Sequence, residues 1–283
     1  MLRVIAENKK EEQINLTENG NYAVLSVGGL TPPTATINTV TLATADGAVF
    51  NSSRVGIRNI VITLAPQNSI EANRLELYRY FKSKHYIKLY LENNTRSVWI
   101  DGYVEAIDGD LFSSLEQIQI SIICPDPFFK DTKTGVYKFS NITDLFKFPF
   151  AIEETPGIPI SEMSEHITIA VVNNGDEEVG ITVRLYANGT VVNPKIYNTT
   201  TNENFSLNIT MQDGDVISFD TRPGYKRVTL NRNSVLSNII NSMTFDSEWL
   251  TLDVGDNVFT YDADSGTELL DIQIVLHPLY EGM

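Results

Sequence analysis

The chain of 283 residues has one cysteine, Cys124, three histidines and two tryptophans, and only 21 lysines and arginines against 36 aspartates and glutamates. A single cysteine cannot form an internal disulfide or a multi-cysteine metal site, so stability must come from packing. His85, His166 and His277 stand apart from one another, and none has the spacing of a metal pair on a helix or strand. The formal net charge of -15 leaves no basic stripe for phosphate contacts, which disfavours stable or sequence-reading nucleic-acid binding. An acidic surface still lets DNA pass without retaining it. No run approaches the roughly 20 apolar residues of a spanning helix, and Met1 to Glu7 turns polar before a signal core forms. Neither a Sec route nor a membrane anchor is expected, and the Asn-x-Ser/Thr triplets at Asn141 and Asn208 then follow from Asn- and Thr-rich composition alone.

Catalytic motifs are also missing. There is no Gly-x-Ser-x-Gly elbow, phosphate loop or dinucleotide fingerprint, and Gly28-Gly29 lies between extended segments without a following Lys-Ser/Thr or helix start. Asp101, Glu105, Asp108 and Asp110 cluster in sequence, and paired acids at suitable separation hydrolyse glycosides. Four residues along a strand, however, put Asp101 and Glu105 roughly 13 Å apart, too far for a direct pair. Asp108 and Asp110 flank a turn glycine, where aspartate is favoured for backbone reasons. Asp262-x-Asp264-x-Gly266 has the beginning of a calcium loop but lacks the downstream glutamate, so it reads as a turn. Cys124 ends an apolar strand with no histidine near it in sequence and reads as packing. Trp249 and Tyr225 are the aromatics best placed to stack on a sugar. Trp249 precedes Leu250 and Leu252 in an alternating stretch, which favours a core role. No catalytic, cofactor or metal residue is assigned, and no cofactor is expected.

What is present is mainly β. Ile57–Leu64 alternates apolar and polar residues with β-branched enrichment, and Pro66 stops it. Asn68 then offers an N-cap with Glu71 three residues on, and Ile70, Leu77 and Phe81 share one face of a helix. Tyr86–Leu91, Ser97–Ile107 and Glu116–Ile122 read as three antiparallel strands joined by Asn93-Asn94 and Asp108-Gly-Asp110 turns. Pro125 and Pro127 close this unit. A first domain is expected over 1–134, a proline-broken connector over 135–164 containing Phe146-Lys-Phe-Pro-Phe150 and Pro156-Gly-Ile-Pro159, and a second domain over 165–283. In that last part about eight short strands with Asp- and Gly-bearing turns point to a jelly-roll type β-sandwich.

Arg58-Asn-Ile-Val-Ile-Thr-Leu64, Glu71 to Phe81, Asp101-Gly-Tyr-Val-Glu105 and Gln119 to Phe129 resemble, in order and spacing, the siphophage distal tail protein (Dit) family. Phe146 to Phe150, Asn173-Asn-Gly-Asp176, Val192-Asn-Pro194, Asp213-Gly-Asp215, Leu252 to Asn257 and Leu279-Tyr-Glu-Gly282 are similar to that family's C-terminal half. The resemblance implies a tail-tube-like first domain, a galectin-like C-terminal β-sandwich and a structural role, not an enzyme. It further implies a hexameric ring at the tail tip or baseplate hub of the virion, assembled in the host cytoplasm, through which DNA is conducted. The implied partners are the tail tube protein and the tail-associated hub or lysin protein, with tape-measure and receptor-binding proteins as further contacts. The competing reading is a cell-wall saccharide-binding module of the tail tip. The chain has no room for the large carbohydrate-binding insertions that some family members carry.

Overall fold

The computed structural model describes residues 2–44, 46–110, 116–139, 142–144, 161–163 and 168–283. The connector motifs at 146–150 and 156–159, and His166, lie outside them. The chain divides into two compact units, Met1–Lys133 with Leu279–Met283, and Thr134–Pro278. The second unit is therefore an insertion in the first, and residues 279–283, expected in the C-terminal domain, belong to the N-terminal unit. Backbone pairing is the reason: Leu279–Tyr280 pairs antiparallel with Phe129–Asp131, which also pairs with the strand Ser97–Gly109.

The main sheet of the first unit runs in the order Gln13–Asn15, Arg3–Asn8, Tyr86–Glu92, Ser97–Gly109, Ile118–Cys124, Arg58–Pro66, Tyr22–Gly28, all antiparallel. Alternation sets its core face. Ile87, Leu89 and Leu91 are buried opposite Val98 and Ile100, and Ile118, Ile120 and Ile122 continue the layer. The helix Ile70–Tyr80 closes this core with Leu77 and Phe81. Its start differs from expectation. Asn68 sits at φ +56 and donates from its carboxamide to Gly20 O (3.1 Å), so it anchors a loop and does not cap. Ser69 takes the N-cap position without a side-chain hydrogen bond, and Ile70 is 43% exposed. The buried stripe begins one turn later at Asn73, whose amide donates to Gln67 O (2.7 Å) and so meets the hydrogen-bonding need of a buried polar group.

Gly29 explains the Gly28-Gly29 pair. It adopts φ +82, and a Cβ there would lie 2.2 Å from Asn59 O, so only glycine fits. Close packing, not phosphate binding, requires it.

In the second unit a six-stranded antiparallel sheet runs Gly135–Phe139, Leu270–Leu276, Thr182–Ala187, Val216–Asp220, Arg227–Arg232, Val235–Asn238. Gly135–Phe139, read from sequence as connector, is thus a strand of this unit. A four-stranded sheet runs Thr168–Asn173, Gly255–Asp262, Lys195–Asn198, Glu203–Ser206. The two sheets face one another through Phe205 and Phe219, whose rings stack at 3.9 Å and 13°. This is a β-sandwich core, fully buried around Phe205, Phe219 and Phe259. Buried Asp215 accepts hydrogen bonds from Arg232 Nε (2.9 Å) and Gln212 N (2.7 Å), and these donors hold its carboxyl below the ordinary range. Trp249 lies before the strand Thr251–Leu252 and is half-buried, with its ring 6.0 Å from Phe205 and Lys226 Nζ 5.3 Å above it. The buried position that the alternation marks is its neighbour Leu250.

Candidate functional site

The residues weighed for chemistry do not assemble. Asp101 accepts from Tyr86 Oη and pairs with Lys130 Nζ (3.5 Å), while Glu105 accepts from Ser121 Oγ (2.8 Å) beside a bulge between Val104 and Ala106. Each carboxylate has its own structural partner. Asp108 and Asp110 are exposed, but Asp108 and Gly109 end the strand Ser97–Gly109, paired with Gln119 and Ile118, so the glycine expected in a turn is a strand residue. Asp262 accepts from Ala263 N (2.8 Å) and Thr267 Oγ1 (3.1 Å), the hydrogen bonding of a tight turn. His85 Nδ1 lies 3.2 Å from Ser83 O on the surface. Among the described residues no three metal-ligating side chains come together. Tyr225 is exposed with Arg222 over its ring at 5.1 Å.

Cys124 is fully buried, and burial pushes its thiol up to about 12. It is protonated throughout the neutral range and shielded from reagents. Ellman's reagent at pH 8 is expected to leave the native protein unlabelled and to titrate one thiol in denaturant. Rapid labelling of folded protein would contradict this burial.

The first unit instead offers a surface. Ala35–Thr41 and Ala48–Val55 form a two-stranded antiparallel sheet of their own, outside the main sheet. Every residue of it is exposed except half-buried Val55, including Ile37 (57%), Phe50 (62%) and the cross-strand pair Val40 and Val49. Nearby in sequence, Ile57 and Leu25 are exposed as well. An isolated hairpin is marginal in water, and exposed apolar clusters of this kind mark protein contacts. Sequence reading missed it because Ala35-Thr-Ile-Asn-Thr-Val-Thr41 shows no clean alternation. Its Thr and Val enrichment was the available signal.

Arg58 holds the base of this region. Its guanidinium is 3% exposed and donates to Gly29 O (2.5 Å), Thr31 O (2.8 Å), Pro127 O (2.5 Å) and Glu281 O (2.6 Å), with the Phe129 ring 4.4 Å away. Burial lowers its pKa from the ordinary arginine value. Arg96 Nη1 donates to Gly282 O (2.5 Å) and stacks over Tyr280 at 4.3 Å, and Met283 N donates to Leu30 O (3.0 Å). Residues 279–283 are thereby fixed against the segments on either side of the hairpin.

A β-rich unit bearing an exposed hairpin and a β-sandwich unit define a mainly β protein whose most prominent candidate site is a surface. Residues 9–124 match the family described as phage tail protein RIFT-related domain, and residues 174–273 match the siphovirus-type tail component, C-terminal domain. The chain belongs to the siphophage distal tail protein (Dit) family and is a structural component of a phage tail. Among solved structures it is similar to the Dit protein of phage SPP1, with TM-score 0.69 and 11% identity over 97% of this chain and 98% of that one. That protein is described as a paradigm of the hub adsorption apparatus in phages infecting Gram-positive hosts. A chain of the phage P2 baseplate in its activated conformation with calcium gives TM-score 0.52 and 12% identity over 97% and 98%. The strontium form gives 0.52 and 12% over 98% of both chains. At these identities the structures show a shared fold. No curated protein sequence matches the chain.

Proposed function

We propose that the chain forms a hexameric ring that joins the tail tube to the tail-associated hub protein and conducts DNA through its lumen, without enzymatic activity of its own. The observation that carries this reading is the Ala35–Val55 hairpin, which exposes Ile37, Val40, Val49 and Phe50 and, among the described residues, pairs with no other sheet. A neighbouring copy supplies the apolar surface that the hairpin lacks. In a closed ring each copy both gives and receives a hairpin, so every such surface is covered. The net charge of -15 supports conduction, since an acidic channel does not retain a polyanion. Tail-tube protein and hub protein contact opposite sides of the ring, with tape-measure and receptor-binding proteins at its margins, and the subunit folds in the host cytoplasm before joining the virion.

Light scattering and negative-stain electron microscopy of the full chain test this reading, alone and with the neighbouring tail proteins. The expected result is a ring with sixfold symmetry. The double substitution Ile37→Asp and Phe50→Asp is expected to weaken association at least about 100-fold, because central apolar anchors each contribute on the order of 1–3 kcal/mol. Both positions are exposed in the monomer, so its fold should be unchanged. A wild-type chain that remains monomeric with its neighbours present, or a variant that forms the same ring, removes the proposal.

A further inference from the structure

The last strand of the six-stranded sheet in the second unit, Val235–Asn238, is exposed along its whole length, and among the described residues no strand pairs with its outer side. The other strands that end the two sandwich sheets, Gly135–Phe139, Thr168–Asn173 and Glu203–Ser206, each hold buried residues. Asn233 and Ser234, at φ +50 and +64, take the two left-handed positions of a tight turn between Arg227–Arg232 and this strand. The turn fixes which main-chain groups face outwards. Arg232 and Val235 flank it as a hydrogen-bonded pair, Asn231 and Leu236 follow as a non-hydrogen-bonded pair, and Ile239 N donates to Val228 O (3.0 Å) in the same phase. The N–H and C=O of Leu236 and Asn238 therefore point away from the sheet. Open edges are ordinarily blunted by lysine, proline, a bulge or a covering segment. Val235-Leu236-Ser237-Asn238 has no lysine, proline or bulge, and Val235 and Leu236 are 67% and 69% exposed.

From this edge we infer that the second unit binds an extended acidic polypeptide segment of another protein, which adds a strand beside Val235–Asn238 through main-chain hydrogen bonds to Leu236 and Asn238. Charge selects the chemistry of the partner. Residues 222–245 contain Arg222, Lys226, Arg227 and Arg232 and no aspartate or glutamate, in a chain where acids outnumber bases 36 to 21. Arg222 and Arg232 are engaged by the buried carboxylates of Asp220 and Asp215. Lys226 is exposed, and Arg227, 3.9 Å from Asp220, keeps 65% of its side chain in solvent. Alternation places Arg227 on the sheet face that carries Leu236 and Asn238, beside the path of an added strand. Val235 and Leu236 project to opposite faces, so apolar residues on either side of the incoming segment find a contact. A second copy of this edge would bring basic side chains against basic ones. Nucleic acid would meet the charge but leave the outward main-chain groups, Val235 and Leu236 unmatched. The inference does not depend on the ring of copies, since every group belongs to one unit of one chain.

Residue-resolved amide hydrogen exchange and chemical-shift titration on the full chain test it, with the end-capped peptide Glu-Val-Thr-Val-Thr-Val-Asp-Glu as probe. The comparisons are the same peptide with lysine at every acidic position, and an oligothymidylate. The acidic peptide is expected to bind with Kd on the order of 0.1 mM and to slow exchange at Leu236 and Asn238 at least about fivefold. The lysine peptide should bind at least about tenfold more weakly. Leu236→Pro removes an outward N–H that takes no part in the ladder with Arg227–Arg232, so it should weaken the acidic peptide about tenfold while the melting transition stays in place. Lys226→Gln combined with Arg227→Gln should weaken it about fivefold. The proposal is overturned if the acidic peptide leaves Leu236 and Asn238 unprotected at about 2 mM, if the lysine peptide binds as well, if either variant binds as the wild type does, or if the oligothymidylate binds more tightly. Protection of these amides that rises with protein concentration in the absence of peptide assigns the edge to a second copy and overturns it equally.

Discussion

Arg58→Ala is expected to destabilise the first unit by about 4 kcal/mol. The guanidinium is buried, and four main-chain carbonyls, from Gly29, Thr31, Pro127 and Glu281, accept its hydrogen bonds. Removing it leaves these carbonyls short of a donor in a dry site, where each unmet group costs about 1–3 kcal/mol before relaxation and water entry. Alanine also opens a void against Phe129, on which the guanidinium packs. Arg58→Lys keeps the charge but replaces a planar fork by a point donor that cannot span four acceptors, and is expected to lose about half as much. Each unit contains one tryptophan, Trp99 in the first and Trp249 in the second, which allows the change to be located. In a Trp249→Phe background, the denaturant midpoint reported by Trp99 fluorescence should fall markedly in Arg58→Ala and less in Arg58→Lys. Equal midpoints for wild type and Arg58→Ala would show that the four acceptors find other donors at little cost.

Phe219→Ala is expected to cost the second unit about 4 kcal/mol. Its ring is fully buried on Val216–Asp220 and stacks on Phe205 from the opposing sheet. The loss combines transfer of a large apolar side chain to water, the cavity left between two sheets, and an aromatic pair worth about 1 kcal/mol beyond its area. Phe219→Leu keeps most of the volume and should cost less than half as much. Denaturant unfolding followed by Trp249 in a Trp99→Phe background reads both variants. If alanine and leucine shift the midpoint equally, the stack rather than the filled volume is the dominant contribution.

Local periodicity made much of the fold legible. Tyr86–Glu92, Ser97–Gly109, Ile118–Cys124 and Leu270–Leu276 alternate strongly enough that their burial follows residue by residue. What escaped was non-local. Arg58 reads in sequence as the polar start of a strand, because its acceptors come from positions 29, 31, 127 and 281. Trp249 was misplaced because Leu250 and Leu252 extend an alternation that begins ahead of the strand itself. The ordered motifs that identify the family were legible because they are short and local, whereas the exposed hairpin Ala35–Val55 has no strong local signature.

The return of residues 279–283 to the first unit also orders events in time. Glu281 and Gly282 follow the whole of the second unit in the chain, so the cage around Arg58 cannot close until that unit has been translated. At about 5–20 residues per second, an interval of roughly ten to thirty seconds separates synthesis of Pro127 from that of Glu281. Throughout it the first unit lacks one of the carbonyls around its buried cation and the strand that covers Phe129–Asp131. The hairpin surface is therefore available before its base is locked, and a nascent chain is distinguishable from a finished subunit by the state of this seam alone.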